Sequence, residues 1–174
     1  MKIIYRLIFL LSLLFLFGFS VSRVNSIVGE SLKIKDNGER IAYISSQFKN
    51  VPYKPNTLTG SPDEKEVLVV NLDGMDCFTY LDYVEALRLS KSADDFIMNL
   101  KDVRYFGGEV TYKSRKHFFT DWINGDHNTV KDITPELPGS LMVEKFINRK
   151  SHDKNWLKNL PHTMRMVTYI PAEN

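Results

Sequence analysis

Cysteine is almost absent: Cys77 is the only one in 174 residues. A single thiol excludes an internal disulfide framework and any site built on paired thiolates. The four histidines do not supply a metal site either, because there is no His-x-x-x-His and no Glu/His cluster with ligand spacing. No metal and no cofactor is expected. A Gly-rich phosphate loop is also missing, and Gly107-Gly108 reads as a turn. No charge of one sign dominates. The 23 Lys and Arg against 21 Asp and Glu give +2, and Lys2 and Arg6 near the N-terminus account for the whole excess. The pI of 8.5 is therefore no argument for nucleic acid or for an anionic membrane. Repeats and low-complexity tracts are lacking, as in an ordinary globular protein.

What is present begins with residues 1–22, which have the pattern of a secretory signal. Lys2 and Arg6 form a positive start, Leu7 to Phe19 is an apolar run broken only by Ser12 and Gly18, and Ser20-Val-Ser22 offers small residues for cleavage, with Ser26 as a second option. The competing reading is an uncleaved anchor over Ile3 to Val21. Cleavage is the expectation, giving a periplasmic protein with no stable membrane insertion. No cysteine follows the apolar run, which removes the usual bacterial lipid anchor. Residues 23–174 then make one domain, long enough for a real core.

Export makes the lone thiol informative, since exported chains use cysteines in pairs. Cys77 can be an accident, a small buried hydrophobe or a reactive nucleophile. It follows Gly74 at the start of a run to Ser90 with apolar residues at 77, 80, 81, 84 and 87, which is helical spacing. The first turn of a helix carries unpaired N–H groups and favours an anion.

The remaining pattern is α+β. Asp36 or Asn37 caps an expected helix to about Lys49, with Ile41, Ile44, Ser45 and Phe48 on one face, and Pro52 and Pro55 stop it. Residues 50–66 read as loop and Val67 to Val70 as a short strand. Ser92 heads a helix with Phe96, Leu100 and Val103 as its apolar face, ended by Gly107-Gly108. Glu109 to Tyr112 reads as a strand, Arg115 to Ile123 as a helix and Ser140 to Arg149 as a strand. Trp156 to Leu160 reads as a helical turn and Val167 to Ile170 as a last short strand. With only Pro171-Ala-Glu-Asn174 after it, the chain reads as cut short.

Three segments carry a resemblance. They are Val51-Pro-Tyr-Lys-Pro-Asn-Thr-Leu-Thr-Gly60; Val69-Val-Asn-Leu-Asp-Gly-Met-Asp-Cys-Phe-Thr-Tyr80 with Glu85; and Tyr112-Lys-Ser-Arg-Lys-His-Phe-Phe-Thr-Asp-Trp122. In this order and spacing, from about Ile41 to Pro171, the chain resembles the N-acetylmuramoyl-L-alanine amidase-like cell-wall hydrolases, placed among NlpC-type papain-like cysteine peptidases. The resemblance implies a helical N-terminal part with a nucleophile at a helix start, packed on an antiparallel sheet. It implies hydrolysis of the amide between the muramic acid lactyl group and L-alanine, with peptidoglycan or a muropeptide as partner. Cys77 matches the nucleophile, Asp76 the acid before it, and Tyr53 the tyrosine placed beside the thiolate. The base His would lie on a His-Val-Gly-like strand downstream of Tyr169-Ile-Pro171, so much of the C-terminal sheet is expected to be missing. The alternative is a truncated, inactive remnant or a muropeptide-binding module lacking its base.

Cysteine amidase chemistry needs a thiolate, an imidazole, an orienter for it, and donors for the oxyanion. Tyr53 and Asp76 are candidates for oxyanion or substrate orientation. Tyr53 could instead be wedged under its proline loop, and Asp76 could simply cap the helix. His127, His152 and His162 read as solvated loop residues. Arg115, His117, Asp121 and Trp122 form the candidate substrate-binding group, with His117, Asp121 and Trp122 expected near one face of a helix.

Overall fold

The protein is described here by a computed structural model covering residues 21–125, 130–152 and 154–172. The apolar N-terminal run and His127 lie outside the described residues. The chain divides into two compact units: one built from the chain up to Thr59 with Leu68–Arg104, the other from Gly60–Val67 with the chain from Tyr105 onward.

The first unit is helical. Residues 21–31 form α1, unassigned from the sequence because this stretch reads as a cleavage region; it buries Val24, Ile27 and Val28. Helix α2, Asn37–Ser46, starts where expected, with the Asp36 carboxylate accepting from the Glu39 amide at 2.9 Å. Ile44 and Phe48 are buried, but Ile41 is exposed, and the helix stops three residues before Lys49. Asn50, at φ 69°, turns the chain out of helical geometry.

Helix α3, Cys77–Leu89, packs on α4, Ala93–Arg104. Ser92 heads α4, its hydroxyl accepting from the Asp95 amide, and Phe96, Leu100 and Val103 are buried as the spacing predicts. Complete burial of side chains such as Phe96 and Leu100 contributes about 1.5–3 kcal/mol each. The inward face of α3 corrects the expected apolar stripe. Thr79, Asp82, Tyr83 and Ala86 turn inward along with Val84 and Leu87, while Cys77 and Leu81 are exposed. Asp82 belongs inside because the equally buried Arg104 meets it there, Nε to Oδ2 at 2.7 Å. Val67 to Val70 is not a strand. The Val69 carbonyl accepts from Arg104 and the Asn71 amide donates to the Tyr83 hydroxyl, so side chains take backbone groups that a ladder would need.

The second unit holds the strands. Leu141–Ile147 (β1) pairs antiparallel with Thr163–Tyr169 (β4), from Leu141 opposite Tyr169 to Ile147 opposite Thr163. Between them Arg149–Ser151 (β2) pairs with Lys154–Asn155 (β3). Buried Asn148, at φ 68°, organises the return. Its amide donates to the carbonyls of Leu157 and Leu160, and its oxygen accepts from the Leu157 amide at 2.6 Å. This explains why 156–160 is a tied turn and not a helical one. Glu109 to Tyr112 is likewise no strand: Thr111 and Ser114 bond each other and the nearby backbone in a tight turn. The architecture is α+β, with helices and small antiparallel sheets.

Candidate active site

In the first unit, the backbone around Tyr53 is joined to the approach to α3. The Lys54 amide donates to the Met75 carbonyl at 3.0 Å and the Met75 amide to the Pro52 carbonyl at 3.4 Å, a parallel bridge pairing Tyr53 with Met75. Gly74 permits this approach, because a Cβ there would stand 3.1 Å from the Lys54 side chain. Two residues after Met75, Cys77 is the first residue of α3, free and exposed, which corrects the buried-hydrophobe reading. Tyr53 is 70% exposed and not wedged beneath its proline loop. The structure thus brings Tyr53, Asp76 and Cys77 to one loop–helix junction.

Asp76 fixes the start of that helix. Its Oδ1 accepts from the Thr79 amide and the Thr79 hydroxyl, both at 2.8 Å, and the Thr79 hydroxyl receives the Asp76 amide at 3.0 Å. This reciprocal capping box satisfies end groups that a helix otherwise leaves unpaired, and it holds Cys77 in the first turn. Thr79 escaped the sequence reading, although an acid three residues before a threonine at a helix start is the signal for it.

In the second unit the 112–122 motif folds differently from the expected helix. Only Phe119–Ile123 (α5) is helical; His117 precedes it and Phe118 is extended. His117, Asp121 and Trp122 therefore do not share a helical face. Asp121, nearly fully buried, gathers the segment instead. Its Oδ2 accepts from the amides of His117 and Phe118, each at 2.8 Å, and its Oδ1 pairs with Arg165 of β4 at 2.5 Å. Trp122 is half-buried.

His117 lies 2.8 Å through Nε2 from the Tyr112 carbonyl, so Nε2 carries the hydrogen and donates. Burial pushes its imidazole below the usual range, and Arg115 adds to that, while the Tyr112 carbonyl and Asp121 pull the other way. The neutral ring is favoured. Exposed His152 and His162 stand as expected, the latter edge-on to Phe146.

Arg115 is turned toward a buried carboxylate absent from the sequence-based candidates. Glu66 Oε1 accepts from the Tyr105 hydroxyl at 2.8 Å and from Arg115 at 3.1 Å. Arg115 also reaches the Gly60 carbonyl at 3.4 Å and lies over the Tyr112 ring. Gly60, at φ +100°, must remain glycine, since a Cβ would fall 2.1 Å from Glu66 Oε2. A lone acid beside the apolar Val67–Val70 run was the available hint to Glu66.

Among the described residues no group of three or more His, Cys, Asp or Glu gathers as a metal site, and no helix is long and apolar enough to cross a membrane. A family model described as N-acetylmuramoyl-L-alanine amidase-like matches residues 43–174. The chain belongs to this amidase-like family. No curated protein matches it. Among solved structures, a Legionella pneumophila protein superposes with a TM-score of 0.69 at 26% identity, over 88% of this chain and 63% of that one. An N-acetylmuramoyl-L-alanine amidase from Bacteroides uniformis gives a TM-score of 0.54 at 34% identity, over 62% of this chain and 48% of that one. A second structure bearing that name gives 0.53 at 31%, over 64% and 48%. This amidase-like chain therefore spans less than two thirds of these proteins.

Proposed function

We propose that this chain is the nucleophile-bearing part of an exported peptidoglycan amidase of the NlpC-type papain-like kind, with Cys77 attacking the amide between the muramic acid lactyl group and L-alanine. The observation that carries this reading is an exposed, solitary thiol at the first position of a boxed helix in a chain of the amidase-like family. The Cys77 sulfur adds to the lactyl carbonyl, the C–N bond breaks, and the peptide amine leaves with a proton. Water then hydrolyses the thioester and frees the thiol.

The Cys77 amide at the helix start is a donor for the oxyanion, and the exposed Tyr53 hydroxyl is a second donor or a substrate contact. Asp76 acts through the helix it caps. Arg115 and Asp121 support the 112–122 segment, and Trp122 and His117 belong to the substrate-contacting part of this reading. His117 is not assigned as base, because its Nε2 is committed to the Tyr112 carbonyl.

The test is release of the L-alanyl peptide from purified muropeptide by the protein, against its Cys77→Ala variant, together with iodoacetamide labelling of the folded protein. Turnover lost in Cys77→Ala, with rapid labelling of Cys77, is the expected result. Turnover that survives Cys77→Ala, or a folded protein that resists labelling, overturns the assignment.

A further inference from the structure

Two adjoining cavities lie within the second unit. The first, about 640 Å³, has Pro62, Phe106 and Tyr112 as its apolar wall and Glu109, Lys113 and Asn159 among its polar groups. The second, about 420 Å³, is lined by Lys150, Lys154 and Lys158 with Asn155 and Asn159. Asn159 lines both and is the shared edge of the groove that the two make up. Each volume falls in the usual range of small-molecule sites.

The two halves differ in chemistry. In the first, Lys116 lies over the Phe106 ring at 5.6 Å, and Tyr112 packs against Arg115 and His117, so the aromatic wall is held in place. Fixed rings beside polar groups suit a saccharide, which presents apolar C–H faces and a hydroxyl rim. In the second, the Asn155 amide is already spent on the Leu160 carbonyl, and three ammonium groups are the charged recognition elements beside Asn159. Lys150 rests over the Trp156 ring at 4.7 Å.

We propose that this groove binds an acidic, sugar-bearing peptide, with a saccharide ring on Phe106 and Tyr112 and peptide carboxylates on Lys150, Lys154 and Lys158. The proposal rests on the reading of peptidoglycan as substrate and deepens it, by assigning to the second unit by itself a recognition site for the sugar and peptide groups of a muropeptide. Charge complementarity selects this occupant: the stem peptide carries carboxylates, and the sugar-suited cavity adjoins the cluster of ammonium groups. A phospholipid surface would use the lysines and Trp156 but leave the concave first cavity unfilled.

The experiment uses the full chain carrying Cys77→Ala, so that binding is read without turnover. It is titrated with a disaccharide tetrapeptide while emission of Trp156, which is 66% exposed, is followed. Trp156→Phe assigns the signal. Saturable binding that weakens with salt is expected, and Lys150→Gln/Lys154→Gln/Lys158→Gln should weaken it about tenfold. Amidating the peptide carboxylates should produce a similar loss, and the free disaccharide should compete weakly. Unchanged affinity in a triple variant with unaltered circular dichroism, absence of binding, or phosphatidylglycerol vesicles that muropeptide cannot displace would each overturn the groove. An unreactive Cys77 alongside lysine-dependent binding would remove the amidase reading and leave the groove standing.

Discussion

Arg104 Nε lies 2.7 Å from Asp82 Oδ2 with neither side chain reached by solvent, and the same guanidinium donates to the Val69 carbonyl at 2.7 Å. Burial works against the Arg104 charge, but Asp82 and Tyr83 together more than compensate, and the Tyr83 ring lies against the guanidinium. One ion pair therefore joins α3, α4 and the segment leading to Cys77.

Removing either partner leaves a buried charge alone. Arg104→Met or Asp82→Asn should cost about 3–5 kcal/mol of unfolding free energy. Urea denaturation is the measurement. Asp82→Leu combined with Arg104→Met should cost clearly less than the two single losses added together.

The box at the head of α3 gives a smaller effect. Asp76→Ala should lower stability by about 1 kcal/mol, while Asp76→Asn, which still caps, should retain most of it. Thermal melts of the two variants check this. A loss in both would mean that the charge of Asp76, and not its capping bond, matters.

His117 makes stability depend on pH. Its folded value lies below that of a free imidazole because of burial, so the unfolded chain binds the proton more readily. Its contribution is complete above the unfolded value and is lost as pH falls through 6.5 toward the lowered folded value. The urea midpoint should drop between pH 7.5 and 5.5, and the drop should shrink in His117→Gln. An equal drop in that variant would assign the dependence to other groups.

Export, in the proposed reading, has a structurally preferred cleavage point. Arg23 donates to the carbonyls of Leu72 and Gln47 and pairs with Asp73, and Val24 is buried. Cleavage after Ser26 would remove both residues. The mature chain should begin at Arg23, and N-terminal sequencing of secreted protein checks it. A start at Ile27 would show these contacts to be dispensable, and a retained Met1 in the membrane fraction would sink the export reading.

Periodicity and caps made α2, α3 and α4 legible. Asp36, Asp76 and Ser92 act over three residues, and such local bonds are visible in sequence. The inner face of α3 was not legible, because Asp82 is stable inside only through Arg104, 22 residues away. The same limit explains Val67 to Val70, whose β-rich composition is overridden by distant side-chain bonds. At the candidate site, the position of Cys77 at a helix start could be read from Gly74 and the apolar run. The fold of 112–122 could not, since Asp121 holds the preceding backbone extended through bonds that helical spacing does not encode.

The bonds of consecutive residues Arg104 and Tyr105 bear on the order of assembly. Arg104 reaches Val69 and Tyr105 reaches Glu66, spans of 35 and 39 residues. The entropy of closing a loop grows only slowly with its length, so the cost lies in bringing such ends together at all. The α3–α4 hairpin, made of contacts close in sequence, does this once, and Glu66 then meets Tyr105 with little further closure to make. Refolding should therefore show helix formation ahead of burial of the Glu66 carboxylate, and a variant that loosens the hairpin should slow both.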